Sequence, residues 1–305
     1  MKCNKIIGIV FVYKPNIHEL VTNISKYIDY IDVLIIWQNS ELMISDRILL
    51  KAINEGKIRL LGDGCNVGLA VPVNTVIAQY GDKFDYLLTM DQDSTWWNFK
   101  GYLAKINEKA ETFIDNNIWI FGPQISTNTN HLVEKNEIQL VDHVITSGAI
   151  YYMQLFKVIG GLREDYFIDA LDEEICWRAY NYGYKTACVT AGILYQKFGE
   201  TIKKKLFFRQ IYYMKHNVDR TFYIVRNHIY LIREYKFPIR VKINILNKYV
   251  FSAIIKIIFF DKERFPKIKA IVLGFFSGIK KNKNIKKISY PLKVSDATIE
   301  KAVDS

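Results

Sequence analysis

The chain has 305 residues, 50% of them apolar and 24% charged, which describes a folded globular protein with a sizeable core and excludes a disordered or fibrous one. Its net charge of +11 is uneven: residues 1–195 carry −6, residues 196–290 carry +18 and residues 291–305 carry −1. Cys3, Cys65, Cys176 and Cys188 are far apart with no Cys-x-x-Cys pair, so a disulfide framework and a structural zinc site are not expected.

Ile6–Tyr13 is a continuous apolar, β-branched run, the pattern of a strand buried on both faces. It has no small-residue cleavage site, so it does not read as a secretory signal. Pro15–Tyr27 has helical spacing. Ile31–Trp37 reads as a second buried strand, Arg47–Asn54 as helix, Ile58–Leu61 as strand and Leu69–Tyr80 as helix. Tyr86–Met90 is a fourth strand that runs directly into Asp91-Gln92-Asp93. Strands alternating with helices through short loops predict βαβ units: a mostly parallel central sheet with helices on both faces. Further on, Tyr102–Ile114 reads as helix and Ile118–Phe121 as strand. Residues 126–140 read as polar loop, Val144–Met153 as strand, Asp172–Tyr182 as helix and Lys185–Val189 as strand. From about residue 200 to 280 the chain is aromatic and basic and is expected to be helical.

In open α/β sheets ligands bind beyond the carboxyl ends of the strands. Asp91 and Asp93 lie there, and two carboxylates at i and i+2 invite a hard divalent cation carrying substrate phosphates. A second acidic cluster is Asp169, Asp172, Glu173 and Glu174. Asp172 suits a helix N-cap, and acids suit a helix N-terminus; the functional alternative is a general base for an acceptor hydroxyl in the same crevice as Asp91 and Asp93. Trp96-Trp97 fit either a sugar-stacking platform or core packing. His18, His131, His143, His216 and His228 show no metal-ligand spacing.

These motifs, in this order over about residues 5–235, resemble the family-2 glycosyltransferases of the GT-A fold, in their bacterial rhamnosyltransferase-like branch. IIGIVFVYKPN resembles the opening strand, whose end, here Val12 and Tyr13, touches the nucleotide. Cys65–Ala70 with Asn74 resembles the Asn-x-Gly…Asn segment, and Leu88–Ser94 the metal-binding Asp-x-Asp with its middle Gln. Ile145–Gly148 resembles the Thr-Ser-Gly strand near the acceptor, and Arg163–Arg178 the block that carries the base. Arg220, Tyr223 and Arg226-Asn227 resemble a terminal Arg…Tyr…Arg-Asn block. Two positions depart from the pattern: Gln38 stands for the usual Asp of an Asp-Asn-x-Ser turn, and Gln196 for a His that can reach the metal.

The resemblance implies an inverting sugar transfer, with L-rhamnose from dTDP-rhamnose as the first choice of donor and a UDP-hexose or UDP-galactofuranose as alternatives; a decayed nucleotide-sugar-binding protein is the non-enzymatic alternative. Asp172 would be the base. Asp93 and Asp91 would hold Mg²⁺ or Mn²⁺. Val12, Tyr13, Gln38, Asn39, Asn66, Gly68, Asn74, Asp91 and Gln92 would bind the donor. Ser147, Gly148, Asp169, Glu173, Glu174, Trp96 and Arg178 would bind the acceptor, a lipid-linked glycan of surface-polysaccharide or O-antigen synthesis. The catalytic domain would span residues 1–235, with its nucleotide part in about 1–95 and its acceptor part in about 96–235.

Residues 236–305 are expected to be a basic amphipathic helical extension. Arg240, Asn244, Lys248, Ser252 and Lys256 fall four apart, on one stripe of an otherwise apolar helix. Lys280–Lys287 adds a basic cluster. Docking on an anionic membrane is the favoured reading, against packing on the catalytic domain or a dimer partner. Nucleic acid ranks lower because no RNA- or DNA-binding signature is present. No apolar stretch reaches the ~18 residues of a bilayer span, since Lys256 interrupts Val250–Phe260. The expected location is therefore the cytoplasm, peripheral on the inner face of the cytoplasmic membrane.

Overall fold

The computed structural model describes residues 4–127, 137–196, 201–206, 209–280 and 288–289. The described residues divide into two compact units, those within 4–164 and 175–196, and those within 165–174 and 201–289.

The first unit is built on one nine-stranded sheet. Its elements are β1 (Ile6–Val12), α1 (Ile17–Ile24), β2 (Val33–Gln38), α2 (Arg47–Asn54), β3 (Ile58–Leu61), α3 (Ala70–Tyr80), β4 (Tyr86–Asp91), β5 (Ser94–Trp96), α4 (Phe99–Glu108), α5 (Ala110–Asp115), β6 (Ile118–Ser126), β7 (Ile138–Val141), β8 (Ala149–Tyr152), α6 (Gln154–Ile159), part of α7 (Leu171–Asn181) and β9 (Lys185–Gln196). The strand order is β3-β2-β1-β4-β8-β6-β9-β5, with β7 also paired to β9. The first four strands are parallel, as the βαβ pattern requires. β8 enters between β4 and β6 antiparallel to both, so the sheet is mixed beyond its first half.

β1 lies at the centre of the parallel part and is buried along its whole length, which is why it reads as an unbroken apolar run. Its register sets Phe11 opposite Asp91 and Val12 opposite Gln38, so three candidate donor-side positions reach one edge together. The core below it includes Val10, Ile36, Leu88, Met90, Trp96 and Tyr102. Burying an aliphatic side chain of this size contributes about 1.5–3 kcal/mol.

Several expected elements differ in the structure: the helix expected over Tyr102–Ile114 is two, α4 and α5, and β6 runs on from Phe121 to Ser126. The strand expected over Val144–Met153 is only Ala149–Tyr152; Gly148, at φ 79°, turns the chain there and donates its N–H to Thr89. β9 continues beyond Val189 to Gln196, because Ala187–Leu194 is almost wholly buried between β6 and its antiparallel neighbours. The polar stretch 126–140 contains β7, while residues 128–136 lie outside the described part.

In the second unit the chain after residue 200 is not helical at first. β10 (Thr201–Leu206) and β11 (Arg209–Met214) form an antiparallel hairpin, consistent with its β-branched and aromatic residues. α8 (Val218–Glu234) follows, capped by the Asn217 side chain. β12 (Tyr235–Lys236) pairs with β13 (Ile288–Ser289). α9 (Ile239–Leu246), a π-helical turn (Asn247–Phe251) and α10 (Ser252–Phe260) run on as one helix, and α11 (Arg264–Lys280) returns. Val225, Ile229, Val250, Ile257 and Ile271 from these helices share one core with Tyr213.

That helix corrects two expectations. Ile239–Phe260 is a single 22-residue helix with a mean hydropathy of 1.6, long and apolar enough to cross a membrane by length and composition. Only Lys248 and Lys256 interrupt its last 18 residues, so the count from Val250 understated it. The π turn also shifts the register of the four-residue stripe. Arg240, Asn244 and Lys248 are exposed, whereas Ser252 and Lys256 rotate into partly buried positions.

At the turn between α10 and α11, Lys267 and Asp261 are buried and their side chains meet at 2.6 Å. The Tyr213 hydroxyl also donates to Asp261. Burial alone would raise the Asp261 carboxyl, but the hydrogen bonds from Lys267 and Tyr213 outweigh it and hold its pKa at about 2.

Candidate active site

The donor-side residues sit at the carboxyl end of β1, β2 and β4 in the first unit. Gln92 is a clamp between strands. Its Oε1 accepts the Tyr13 N–H at 2.7 Å and its Nε2 donates to the Tyr13 carbonyl at 3.1 Å, while Asn23 donates to the Gln92 carbonyl at 2.9 Å. The middle residue of Asp-Gln-Asp thus pins the end of β1 and sets the turn on which Asp91 and Asp93 stand. Asn39 is buried and anchored by its N–H to the Val12 carbonyl. Its side chain bridges to the loop above β3, accepting from Val67 at 3.2 Å and donating to Gly68 at 3.0 Å. Asn66 accepts the Gly68 N–H at 3.1 Å. Gln38 is the less committed neighbour, donating to the Gly62 carbonyl at 3.5 Å.

Around Asp91 the structure assembles Ser147 from the turn before β8, Ser94 from β5 and Gln196 from the end of β9. The Asp91 N–H donates to the Ser147 hydroxyl at 3.1 Å, and Ser147 donates to Ser94 at 2.8 Å. Pairing of β5 with β9 sets Ser94 opposite Gln196, and Gln196 Nε2 donates to Asp91 Oδ2 at 3.1 Å. Gln196 Oε1 is buried and has no hydrogen-bond partner. A buried amide oxygen without a donor is costly, and beside Asp91 it is suited to a cation. The oxygen donors Asp91, Asp93 and Gln196 fit a hard ion such as Mg²⁺ or Mn²⁺. Among the described residues no group of three or more His, Cys, Asp or Glu side chains is arranged as a metal cluster.

Other predicted positions have structural work. Trp96 is 2% exposed, donates its ring N–H to Met90 and packs on Phe99 and Tyr102; it is a packing residue, and Trp97, 68% exposed, is the ring with a free face. Gly148 is crowded as well as left-handed: a Cβ there would meet Trp96 Cζ2 at 3.1 Å and Pro123 Cγ at 2.9 Å. Asn74 holds the loop before the base block, exchanging hydrogen bonds with Leu162 at 2.7 and 2.8 Å and donating to Glu164 at 2.9 Å. Arg178 donates to the carbonyls of Ile159 and Gly161 at 2.6 and 2.8 Å.

The acidic cluster belongs to the second unit. Phe167, Asp169 and Ala170 all have φ between 60° and 64°, a left-handed region unfavourable for non-glycine residues. α8 holds this segment in place. Asn227 Nδ2 donates to the carbonyls of Tyr166, Ile168 and Asp169 at 2.7–2.9 Å. Arg226 donates to the Asp165 carbonyl at 2.6 Å and lies over the Tyr223 ring. Arg220 grips the Asp169 carboxylate with two hydrogen bonds, at 3.0 and 2.9 Å. The Arg…Tyr…Arg-Asn block is therefore a brace for the loop ahead of α7, and Asp169 is the anchor of that brace.

α7 begins at Leu171, so Asp172 is a first-turn residue and not the N-cap expected from the sequence. Burial and the neighbouring Glu173 push the Asp172 carboxyl well above the usual range. Glu174 is buried and accepts the Tyr235 hydroxyl at 3.1 Å. Glu173 lies 3.9 Å from His228 Nε2, while His228 Nδ1 sits 2.7 Å from the Ile224 carbonyl. The Tyr249 ring stacks on His228 with centroids 3.5 Å apart, and burial, added to by the carboxylates of Glu173, Asp172 and Asp169, raises the Tyr249 hydroxyl. Sequence spacing gave His228 no role; only the seating of α8 against the loop ahead of α7 brings this histidine to the acidic cluster.

No family model matches the chain. The dTDP-rhamnosyl transferase RfbF of Shigella flexneri is 25% identical over 302 residues, covering 91% of this chain and 96% of its own. Residues 1–349 of S. aureus TarS superpose with a TM-score of 0.51 at 14% identity, covering 90% of this chain and 81% of that one. GalNAc-T7, solved with UDP, GalNAc and Mn²⁺, gives 0.53 at 10% identity, covering 81% of this chain and 54% of its own. The chain has the GT-A fold, and over nearly its whole length it is similar to a rhamnosyltransferase. It spans 43% of the longer TarS chain.

Proposed function

We propose that this GT-A chain is an inverting family-2 rhamnosyltransferase that moves L-rhamnose from dTDP-rhamnose to a lipid-linked glycan, in surface-polysaccharide or O-antigen synthesis at the cytoplasmic face of the inner membrane. The observation that carries the reading is the carboxylate turn Asp91–Asp93, pinned to the end of β1 by Gln92, with the unpartnered Gln196 oxygen beside Asp91. The choice of sugar is supported by the end-to-end likeness to RfbF, and the divalent ion by GalNAc-T7, which was solved with Mn²⁺.

In this reading the edge formed by Val12, Tyr13, Gln38 and Asn39 receives the nucleotide. Asp91, Asp93 and Gln196 Oε1 would hold Mg²⁺ or Mn²⁺, which supplies compensation for the charge that grows on the diphosphate as it leaves. Asp172 removes the proton from the acceptor hydroxyl as that oxygen attacks the anomeric carbon. The carbon–oxygen bond to the diphosphate breaks with its electron pair, and the anomeric centre inverts in one displacement. One base is sufficient, in contrast to hydrolases that use two catalytic carboxylates. The strained loop and its α8 brace fix the start of α7, and with it Asp172.

A thermal-shift screen of dTDP-, UDP- and GDP-sugars, with and without Mg²⁺, tests the reading. Stabilisation by dTDP-rhamnose that grows with the ion is the expected result. A shift only with a UDP-hexose or UDP-galactofuranose would replace the donor, and no shift with any nucleotide would overturn the reading. Asp93→Ala should weaken ion-dependent nucleotide binding by about tenfold or more, ~1.4 kcal/mol, as measured by calorimetry. Gln196→His should shift the ion preference from Mg²⁺ towards Mn²⁺, read in the same titrations.

A further inference from the structure

The second unit carries an apolar surface that its own core does not use. Val250 and Ile257 face inward, against Val225, Ile229 and Ile271. On the outside of the same helix Ile243, Phe251, Ile255 and Phe259 are each at least half exposed. α11 repeats the arrangement. Its inner side is fitted tightly to α8: a Cβ on Gly274 would meet the Phe222 carbonyl at 2.7 Å, and one on Gly278 the Ile229 Cβ at 2.5 Å. Its outer side exposes Phe265, Leu273 and Phe276, the first by 88%. Large apolar patches on a folded protein mark an interaction surface.

The charges around this surface are mostly positive, with Glu263 the exposed acid of the segment. Between Lys236 and Lys280 the acids are Asp261 and Glu263 alone, and Asp261 is buried against Lys267. Arg240, Lys248, Lys262 and Lys269 are all exposed. Aromatic and aliphatic side chains interleaved with exposed cations are complementary to the interface of an anionic bilayer. A crossing helix fits the packing less well. It would have to leave the core made by Val250 and Ile257, and it would carry Lys248 and Lys256 into hydrocarbon. Lying in the interface keeps both interactions.

We propose that the outer faces of the Ile239–Phe260 helix and of α11 dock in the plane of an anionic lipid bilayer, so that the unit carrying Asp172 is the membrane-bound one. The inference rests on the lipid-linked acceptor proposed above and deepens it. The candidate base and the lipid-facing helices belong to one compact unit, and Tyr249, on the docking helix, stacks on His228 beside Glu173. The acceptor half of the chemistry would then be held at the surface where a lipid-linked glycan presents its sugar.

The test is flotation of the full chain with vesicles of phosphatidylcholine alone or mixed with phosphatidylglycerol. The wild type is expected to float with the anionic vesicles only. Phe251→Ser/Phe259→Ser/Phe265→Ser should lower the bound fraction more than tenfold, and Arg240→Gln/Lys248→Gln about fivefold per charge removed. These positions are exposed, and unchanged melting without vesicles verifies folding. Equal flotation of wild type and triple variant would overturn the proposal, as would a wild type that does not float. A dimer lost in the triple variant, without flotation, would assign the face to a second copy and also overturn it. Release from membranes by alkaline carbonate is expected of an in-plane helix; retention would mean a crossing one and refute the orientation. Nucleotide calorimetry on the same preparations separates the two readings. Flotation without nucleotide binding overturns the enzyme and leaves the docking, and the converse overturns the docking alone.

Discussion

Asp172→Asn should lower sugar transfer by about 10²–10⁴-fold, the usual contribution of a positioned general base, with nucleotide binding in calorimetry essentially unchanged. The substitution keeps the shape of the side chain and removes only its capacity to take a proton. It should not unfold the protein. The folded-state pKa of Asp172 is raised by burial and by Glu173. Its carboxylate therefore costs folding stability at every pH above that raised value, and the cost vanishes only in acid, where folded and unfolded states both hold the proton. Asn carries no such cost, so the melting temperature at neutral pH should stay the same or rise. The same shift sets the pH dependence. Transfer by the wild type should increase with pH as Asp172 ionises, with an apparent pKa above the ordinary carboxylate range, and the residual rate of the Asn variant should lose that limb. Full transfer by purified Asp172→Asn protein would remove Asp172 from the role of base.

Lys267→Met should destabilise the second unit by about 3–5 kcal/mol, because it leaves the Asp261 carboxylate buried without its counter-charge. All five tryptophans lie in the other unit, so helical circular dichroism in a urea titration, and not tryptophan emission, is the measurement to make. The double variant Lys267→Met/Asp261→Asn should recover a large part of the loss, since it removes the orphaned charge. The sign with pH is distinctive. In the wild type the Asp261 pKa is held at about 2, below its unfolded value, so the pair contributes fully above pH ~4 and its contribution is lost as pH falls towards 2. Without Lys267, burial dominates and raises the carboxyl. The gap between wild type and variant should therefore narrow in acid. A gap independent of pH would mean that the loss comes from packing and not from the ion pair.

Local patterns in the chain were enough to read the parallel half of the sheet. β1, β2, β3 and β4 are short apolar runs closed by turn residues, and their helices follow with regular spacing. Such elements are decided by hydrophobic periodicity, which is a property of neighbouring residues. The position of Asp91-Gln92-Asp93 at a strand end is equally local. The β10–β11 hairpin was misread because its basic, aromatic composition has no helical or strand period strong enough to decide, and cross-strand pairing settled it.

The chemistry of the sites depended on contacts far apart in sequence. Gln92 could be seen as the middle of a motif, but its two hydrogen bonds to Tyr13 span 79 residues. Gln196 stands in sequence only as a substitute for a His, and β5–β9 pairing puts its amide on Asp91, 105 residues away. Trp96 and Trp97 were indistinguishable as adjacent rings; the alternation of β5 buries one and exposes the other. Asp169 stood as one acid among four until Arg220 was found gripping it. By itself the sequence determined the βαβ half of the fold, the carboxylate turn and the strong positive excess of residues 196–290, because each is written in consecutive residues. The tertiary structure alone decided which polar groups are satisfied, which carboxyl is held at a raised pKa and which face of each basic helix remains uncovered. Burial and hydrogen bonding are set by residues that only folding brings together.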